Sequence, residues 1–162
     1  FAYNADGGHE VIYTAVVNSI NNVLGDGVAA TNPYPTFNDF RTAVSDRKVN
    51  GAFRSGWQPD YPSAENYLVQ NFASAAADGN GSNDGDYKNP EFDALCDKAA
   101  ASKSVADANK LYQQAQEVLL NDLPAVPLYY ANAYGVASTG VSGFEMNWQN
   151  LPVYENMTKS GK

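Results

Sequence analysis

Short strand-like runs alternate along this chain with longer stretches in which apolar residues recur every three or four positions. Phe1-Ala2-Tyr3-Asn4 reads as a strand, followed by a polar turn at Gly7-Gly8. From His9 onward Ile12, Val16, Ile20 and Val23 form one helical stripe, which Gly25 and Gly27 close. Val28 to Thr31 reads as a second strand, stopped by Asn32-Pro33-Tyr34-Pro35. A helix from Thr36 to Ser45 then buries Phe37, Phe40 and Val44, and a third strand after Asn50-Gly51 leads to Trp57. Strand, helix, strand, helix, strand is the order of βαβ units and predicts a parallel sheet core.

The later half is mostly helical in its pattern. Ala64 to Phe72 forms a helix with Tyr67 and Leu68 inward, and Ser63 stands where a cap is needed. Residues 73–87 form a loop rich in Gly, Asn, Asp and Ser with too few apolar residues for a core, and its part from Asp78 to Asp86 is expected to be mobile. Asn89-Pro90 starts the next helix, with a stripe of Phe92, Leu95 and Ala99. Ser104 and Asp107 open another, lined by Ala108, Leu111, Tyr112, Ala115, Val118 and Leu119 and stopped by Pro124. Ala125 to Tyr130 and Ala133 to Ser138 are apolar and strand-like. Beyond Gly140 and Gly143, the stretch from Phe144 to Lys162 has no periodicity and is expected to be loosely held.

A length of 162 residues suits one domain with a real core. The net charge of −8 argues against nucleic acid, which needs a basic footprint. No apolar run approaches the roughly 18 residues of a membrane span. One cysteine, Cys96, excludes an internal disulfide and a cysteine metal cluster, and its helical setting predicts a buried or half-buried thiol. With one histidine and no nucleophile, phosphate-loop or zinc-protease motif, there is little for an enzyme reading to use. Asp60 and Glu65 could be imagined as a glycosidase pair, but five residues across a turn and a helix start need not face one cleft. Asn80, Ser82, Asp84, Gly85 and Glu91 match calcium-loop positions one, three, five, six and twelve. The first should be Asp, and Pro90 precedes the last, so the reading is a solvated loop with no metal and no cofactor.

The most distinctive chemistry lies between Phe53 and Tyr67. Pro59 and Pro62 fix φ and remove two backbone donors, so this turn cannot continue a sheet ladder. Asp60 therefore follows a strand end on a stiff loop beside the Trp57 indole, partly desolvated and placed to hold a cation. Its alternative role is helix capping, for which Ser63 is better placed. Arg54 alternates with Phe53 and faces the same side as Gly56.

Gly56-Trp57, then Asp60-Tyr61-Pro62, resembles the C-terminal lobe of the extracytoplasmic oligopeptide- and dipeptide-binding proteins of ABC importers, solute-binding protein family 5. Asn83, Tyr87, Asn89-Pro90 and Asp93 follow the family's spacing, as does Leu123-Pro124 with Pro127-Leu128-Tyr129. The family's further acidic-proline pair is replaced here by Ser63-Ala64. The resemblance implies an α/β lobe of the periplasmic-binding-protein-like type II fold, with a mixed sheet and flanking helices. Residues 1–141 would be the ligand-binding lobe, and 142–162 a tail returning to the missing N-terminal lobe. Opening on a strand, without a signal peptide or lipobox cysteine, the chain reads as a fragment.

By the same resemblance, Asp60 pairs with a peptide's α-ammonium. The backbone of Gly56, Trp57 and Gln58 pairs with the peptide backbone, and Arg54 meets the ligand's carboxylate or an acidic side chain of it. His9 and Arg47 fall near two other carboxylate-binding positions, with a satisfied histidine and a solvated surface charge as their alternatives. The implied function is capture of oligopeptides and delivery to a membrane permease, by a monomer outside the cytoplasm, in the periplasm or as a surface lipoprotein. Oligosaccharides or metal chelates are the rival ligands within the family. A surface interaction module is the rival outside it.

Overall fold

The structure is a computed structural model and describes residues 1–129 and 132–161. The chain divides into two compact units, Phe1–Trp57 and Gln58–Lys162.

In the first unit, β1 (Ala2–Asn4) is followed by α1 (Glu10–Leu24), β2 (Asn32–Tyr34) and α2 (Phe37–Ser45). β1 and β2 pair in parallel, Ala2 opposite Asn32 and Asn4 opposite Tyr34. The second strand thus starts four residues later than the apolar run Val28–Thr31 suggests. The reason lies in α1: Asn21 Nδ2 donates to the Ala29 carbonyl at 3.0 Å, and the Ala29 N–H donates back to Asn21 Oδ1 at 2.8 Å. With both backbone groups of Ala29 taken by a side chain, pairing begins after it. Pro33 is tolerated because β2 is an edge strand. The expected third strand is reduced to one parallel bridge between Phe53 and Ala2. Ala2, Phe40 and Val44 form the core, with Tyr34, Val49 and Phe53 packed on it. Thr36 caps α2 by accepting from the Asp39 N–H, and Gly25 ends α1. Of the predicted α1 stripe, Ile12, Val16 and Ile20 are half-buried and Val23 is exposed; Val17 is the buried residue.

The second unit is built on α3 (Ala64–Phe72), α4 (Pro90–Ala100) and α5 (Val105–Asp122). Each begins at the cap the sequence predicts: Ser63, Asn89 with Pro90 after it, and Ser104. Their inward faces meet in one cluster of Leu68, Phe92, Cys96, Ala99, Tyr112, Ala115 and Leu119. Burial pushes the Cys96 thiol up to about 11, the mark of an inert packing residue. Asp122 ends α5, where the helix dipole disfavours a carboxylate. The Tyr87 hydroxyl donates to it at 2.6 Å and Asn89 Nδ2 at 2.7 Å, and these bonds hold its pKa below the usual range.

Two segments have more structure than their sequence suggests. The polar loop 73–87 is organised around one buried side chain. Asn83, 1 % exposed, donates to the carbonyls of Ala73 and Tyr87 at 3.0 and 2.8 Å and accepts from the Tyr87 N–H at 3.1 Å. Ala77 in the same loop is fully buried, and Asp86 accepts from the Asp78 N–H. One buried amide does the organising that apolar residues would otherwise do. The end of the chain is not shapeless either: β3 (Val141–Ser142) pairs antiparallel with β4 (Thr158–Lys159), and Met146 bridges Pro152.

Of the apolar runs after α5, Tyr130 lies outside the described residues. The described parts of 125–138 form no strand, and Tyr134 and Val136 are 85 % and 96 % exposed. A β-prone sequence without a neighbouring strand cannot pair its backbone, so propensity alone does not make it a strand.

Candidate functional site

The stretch from Phe53 to Tyr67 is held by backbone bonds at its start and by side-chain amides after it. In the first unit, the Ala2 N–H donates to the Ala52 carbonyl at 2.9 Å, and the Arg54 N–H donates to the Ala2 carbonyl at 2.8 Å. β1 is thereby flanked on both edges, and Arg54 and Gly56 leave from the carboxyl end of a parallel arrangement. Open α/β sheets place ligands at that end.

Asn4 ends β1, and Asp6 and His9 follow it at the same end. Asp6 accepts from Asn4 Nδ2 at 2.7 Å and from the Phe37 N–H at 3.1 Å, which holds its carboxyl below the usual range. Asn4 is 4 % exposed, and its Oδ1 has no partner among the described residues. His9 is half-buried and lies close over Gly7, where an added Cβ would come within 2.5 Å of Nε2. Burial, then the Arg54 guanidinium, pushes the His9 pKa down, with Asp6 acting in the opposite sense. Gly56 is exposed, and a Cβ on it would meet only Arg54 Nη2, at an ordinary 3.8 Å. The fold itself does not demand a glycine there. Arg47 has φ +56°, and its Nη1 donates to the carbonyls of Ser45 and Val44 at 3.2 and 3.4 Å, at the end of α2. Trp57 is half-buried.

In the second unit, Gln58, Pro59 and Asp60 form an exposed turn around one buried residue, Pro59. Asp60 does not cap α3. Ser63 does so, accepting from the Glu65 N–H at 3.2 Å. Asp60 is instead gripped by Asn66, one turn into the helix and 1 % exposed. The Asp60 N–H donates to Asn66 Oδ1 at 2.9 Å, and Asn66 Nδ2 donates to Asp60 Oδ2 at 3.2 Å. Gln149 holds the other side: its Nε2 donates to the Pro59 carbonyl at 2.7 Å, and Gln58 Nε2 donates to its backbone carbonyl at 2.9 Å. Its neighbour Trp148 lines a cleft of about 550 Å³ with Pro59, Pro62, Tyr67, Val105 and Asn109. Asp60 itself is exposed, contrary to the expected desolvation.

Among the described residues, no three His, Cys, Asp or Glu side chains gather as a metal ion would require. Among the same residues, no helix is long and apolar enough to cross a membrane. Sequence reading missed Asn4, Asn66 and Gln149. Polar residues without periodicity carry no local signal, and Gln149 acts across 90 positions.

No family model matches the chain. It is 35 % identical over 92 residues to di/tripeptide-binding protein 4 of Pseudomonas aeruginosa, covering 57 % of this chain and 17 % of that protein. It is 27 % identical over 143 residues to the dipeptide-binding protein DppE of Bacillus subtilis, covering 87 % of this chain and 24 % of that one. Haem-binding protein A of Haemophilus influenzae is 28 % identical over 125 residues, covering 76 % and 22 %. Among solved structures, OppA of Burkholderia pseudomallei superposes with a TM-score of 0.80 at 23 % identity, covering 99 % of this chain and 30 % of that chain. The fold is thus the mixed helix-and-sheet fold of that structure. The chain spans about a fifth of the length of these three curated relatives, from 17 % to 24 %.

Proposed function

The chain is homologous to part of the extracytoplasmic peptide-binding proteins of ABC importers, and from that premise we propose that it is one ligand-binding lobe of such a protein. The lobe binds a peptide outside the cytoplasm and performs no chemistry on it. A second lobe closes over the ligand, and the closed form is presented to a membrane permease. Residues 1–141 form the lobe, and 142–162 lead back toward its partner.

One observation carries the peptide reading. Asp60 is an exposed carboxylate in a turn braced from two sides, with Oδ2 engaged by Asn66 and, among the described residues, no hydrogen bond to Oδ1. A peptide's α-ammonium is a donor common to every sequence. Gly56 allows close approach of the peptide backbone to those of Gly56, Trp57 and Gln58, the pattern of strand addition. Arg54 and His9, at the end of β1, take an anionic group of the ligand. Arg47 would join them only by giving up its carbonyls on α2.

Asp60→Asn in the full-length protein tests this. The change keeps shape and removes charge, and free-amine peptides should bind roughly 2–4 kcal/mol more weakly. Acetylated peptides should lose little. Equal effects on both would place the anchor elsewhere. The haem-binding relative favours a second reading, a metal-chelate ligand. Such a ligand has no ammonium, and its binding would be indifferent to Asp60→Asn.

A further inference from the structure

We propose that Asn66 and Gln149 are positioning residues for Asp60, a two-sided amide clamp that sets the anchor before a ligand arrives. The proposal rests on the ammonium reading of Asp60. Asn66 is the rigid half. It is nearly fully buried on α3 and meets Asp60 reciprocally, giving its amide to the carboxylate and taking the backbone N–H. The reciprocal pair fixes the carboxylate's rotation, so that Oδ2 is engaged and Oδ1 is presented. Gln149 is the remote half. Its amide holds the Pro59 carbonyl, and its own carbonyl is held by Gln58. Among the described residues, residues 58 to 60 thus have four hydrogen bonds to two side-chain amides and one carbonyl, and no ladder partner.

Gln149 is itself braced. Its N–H and that of Leu151 both donate to Asn147 Oδ1, at 2.9 and 3.0 Å, and the Asn147 N–H donates to the Leu151 carbonyl at 2.8 Å. A turn far along the chain is thereby made stiff at the point where it touches the anchor. Ordering a flexible loop on binding weakens affinity, and a loop already ordered avoids that loss. Gln149 therefore gives the tail a part in ammonium recognition without touching the ligand.

The test is Gln149→Met in the full-length protein, which keeps side-chain length and removes the donor. Affinity is measured for one tripeptide with a free amino terminus and for its acetylated form, in the wild type, Gln149→Met, Asp60→Asn and the double variant. The expected result is a five- to tenfold loss for the free amine, less than twofold for the acetylated peptide, and a double variant no weaker than Asp60→Asn alone. A merely structural role would lower both affinities alike, or add to the effect of Asp60→Asn, and either result overturns the clamp. If Asp60→Asn discriminates between the two peptides and Gln149→Met does not, the clamp fails while the ammonium reading stands. If Asp60→Asn does not discriminate, both fall together. Amide exchange at the Asp60 N–H gives a measurement that does not depend on folding yield: it should speed up in Gln149→Met while exchange within α5 stays unchanged. Unchanged exchange at Asp60 would also overturn the proposal.

Discussion

The helical hub of α3, α4 and α5 and the stretch from Arg54 to Asp60 are built on opposite principles. The hub is held by apolar contact. Phe92 and Ala115 are fully buried, and each of its helices presents one stripe to the other two. The stretch has little apolar burial of its own. Its first residue, Arg54, is bonded to β1 through its N–H, and its turn hangs from two amide side chains. Apolar contact is additive and indifferent to small rotations, so it suits stability. Hydrogen bonds are directional, so they suit the aiming of a carboxylate. The two regions should therefore respond to substitution in different measurements.

The largest effect belongs to the hub. Phe92→Ala removes a fully buried ring that also meets Tyr87 edge-on at 6.0 Å, and should cost about 3–5 kcal/mol of stability in urea unfolding. Under folded conditions the ratio of free-amine to acetylated peptide affinity should not change. A changed ratio would break the separation of the two regions.

Gly56→Ala probes the other side. The site has space for a methyl group, so stability should move by no more than about 0.5 kcal/mol. Backbone approach of a ligand would be blocked, and peptide affinity should drop about tenfold, near 1.4 kcal/mol. An unfolding shift without a binding change would reverse the assignment.

The smallest effect sharpens the picture at the end of β1. The native chain resists protonation of His9, because burial and Arg54 push its pKa below 6.5. Below about pH 6.5 the unfolded chain binds this proton more readily, so stability is retained above that pH and lost as pH falls through the native pKa. His9→Gln should flatten this part of the stability profile. An anionic ligand group beside His9 and Arg54 should conversely promote proton uptake on binding, seen as a buffer-dependent heat in calorimetry. An unaltered profile in His9→Gln would remove His9 from the electrostatics of the site.

Much of this was written locally. Thr36, Ser63, Asn89-Pro90, Ser104 and Gly25 mark helix ends that the structure keeps, because a cap and its partner lie within a few residues. The Asp60 turn was legible for the same reason, since two prolines stiffen it whatever surrounds them. The amide of Asn21 on Ala29, the burial of Asn83 under a polar loop, the grip of Asn66 and the reach of Gln149 were decided by tertiary structure. So was the absence of a strand in the described part of 125–138. In each case the deciding partner is set by how the chain folds back on itself. A polar side chain does not announce in sequence which backbone group it will meet.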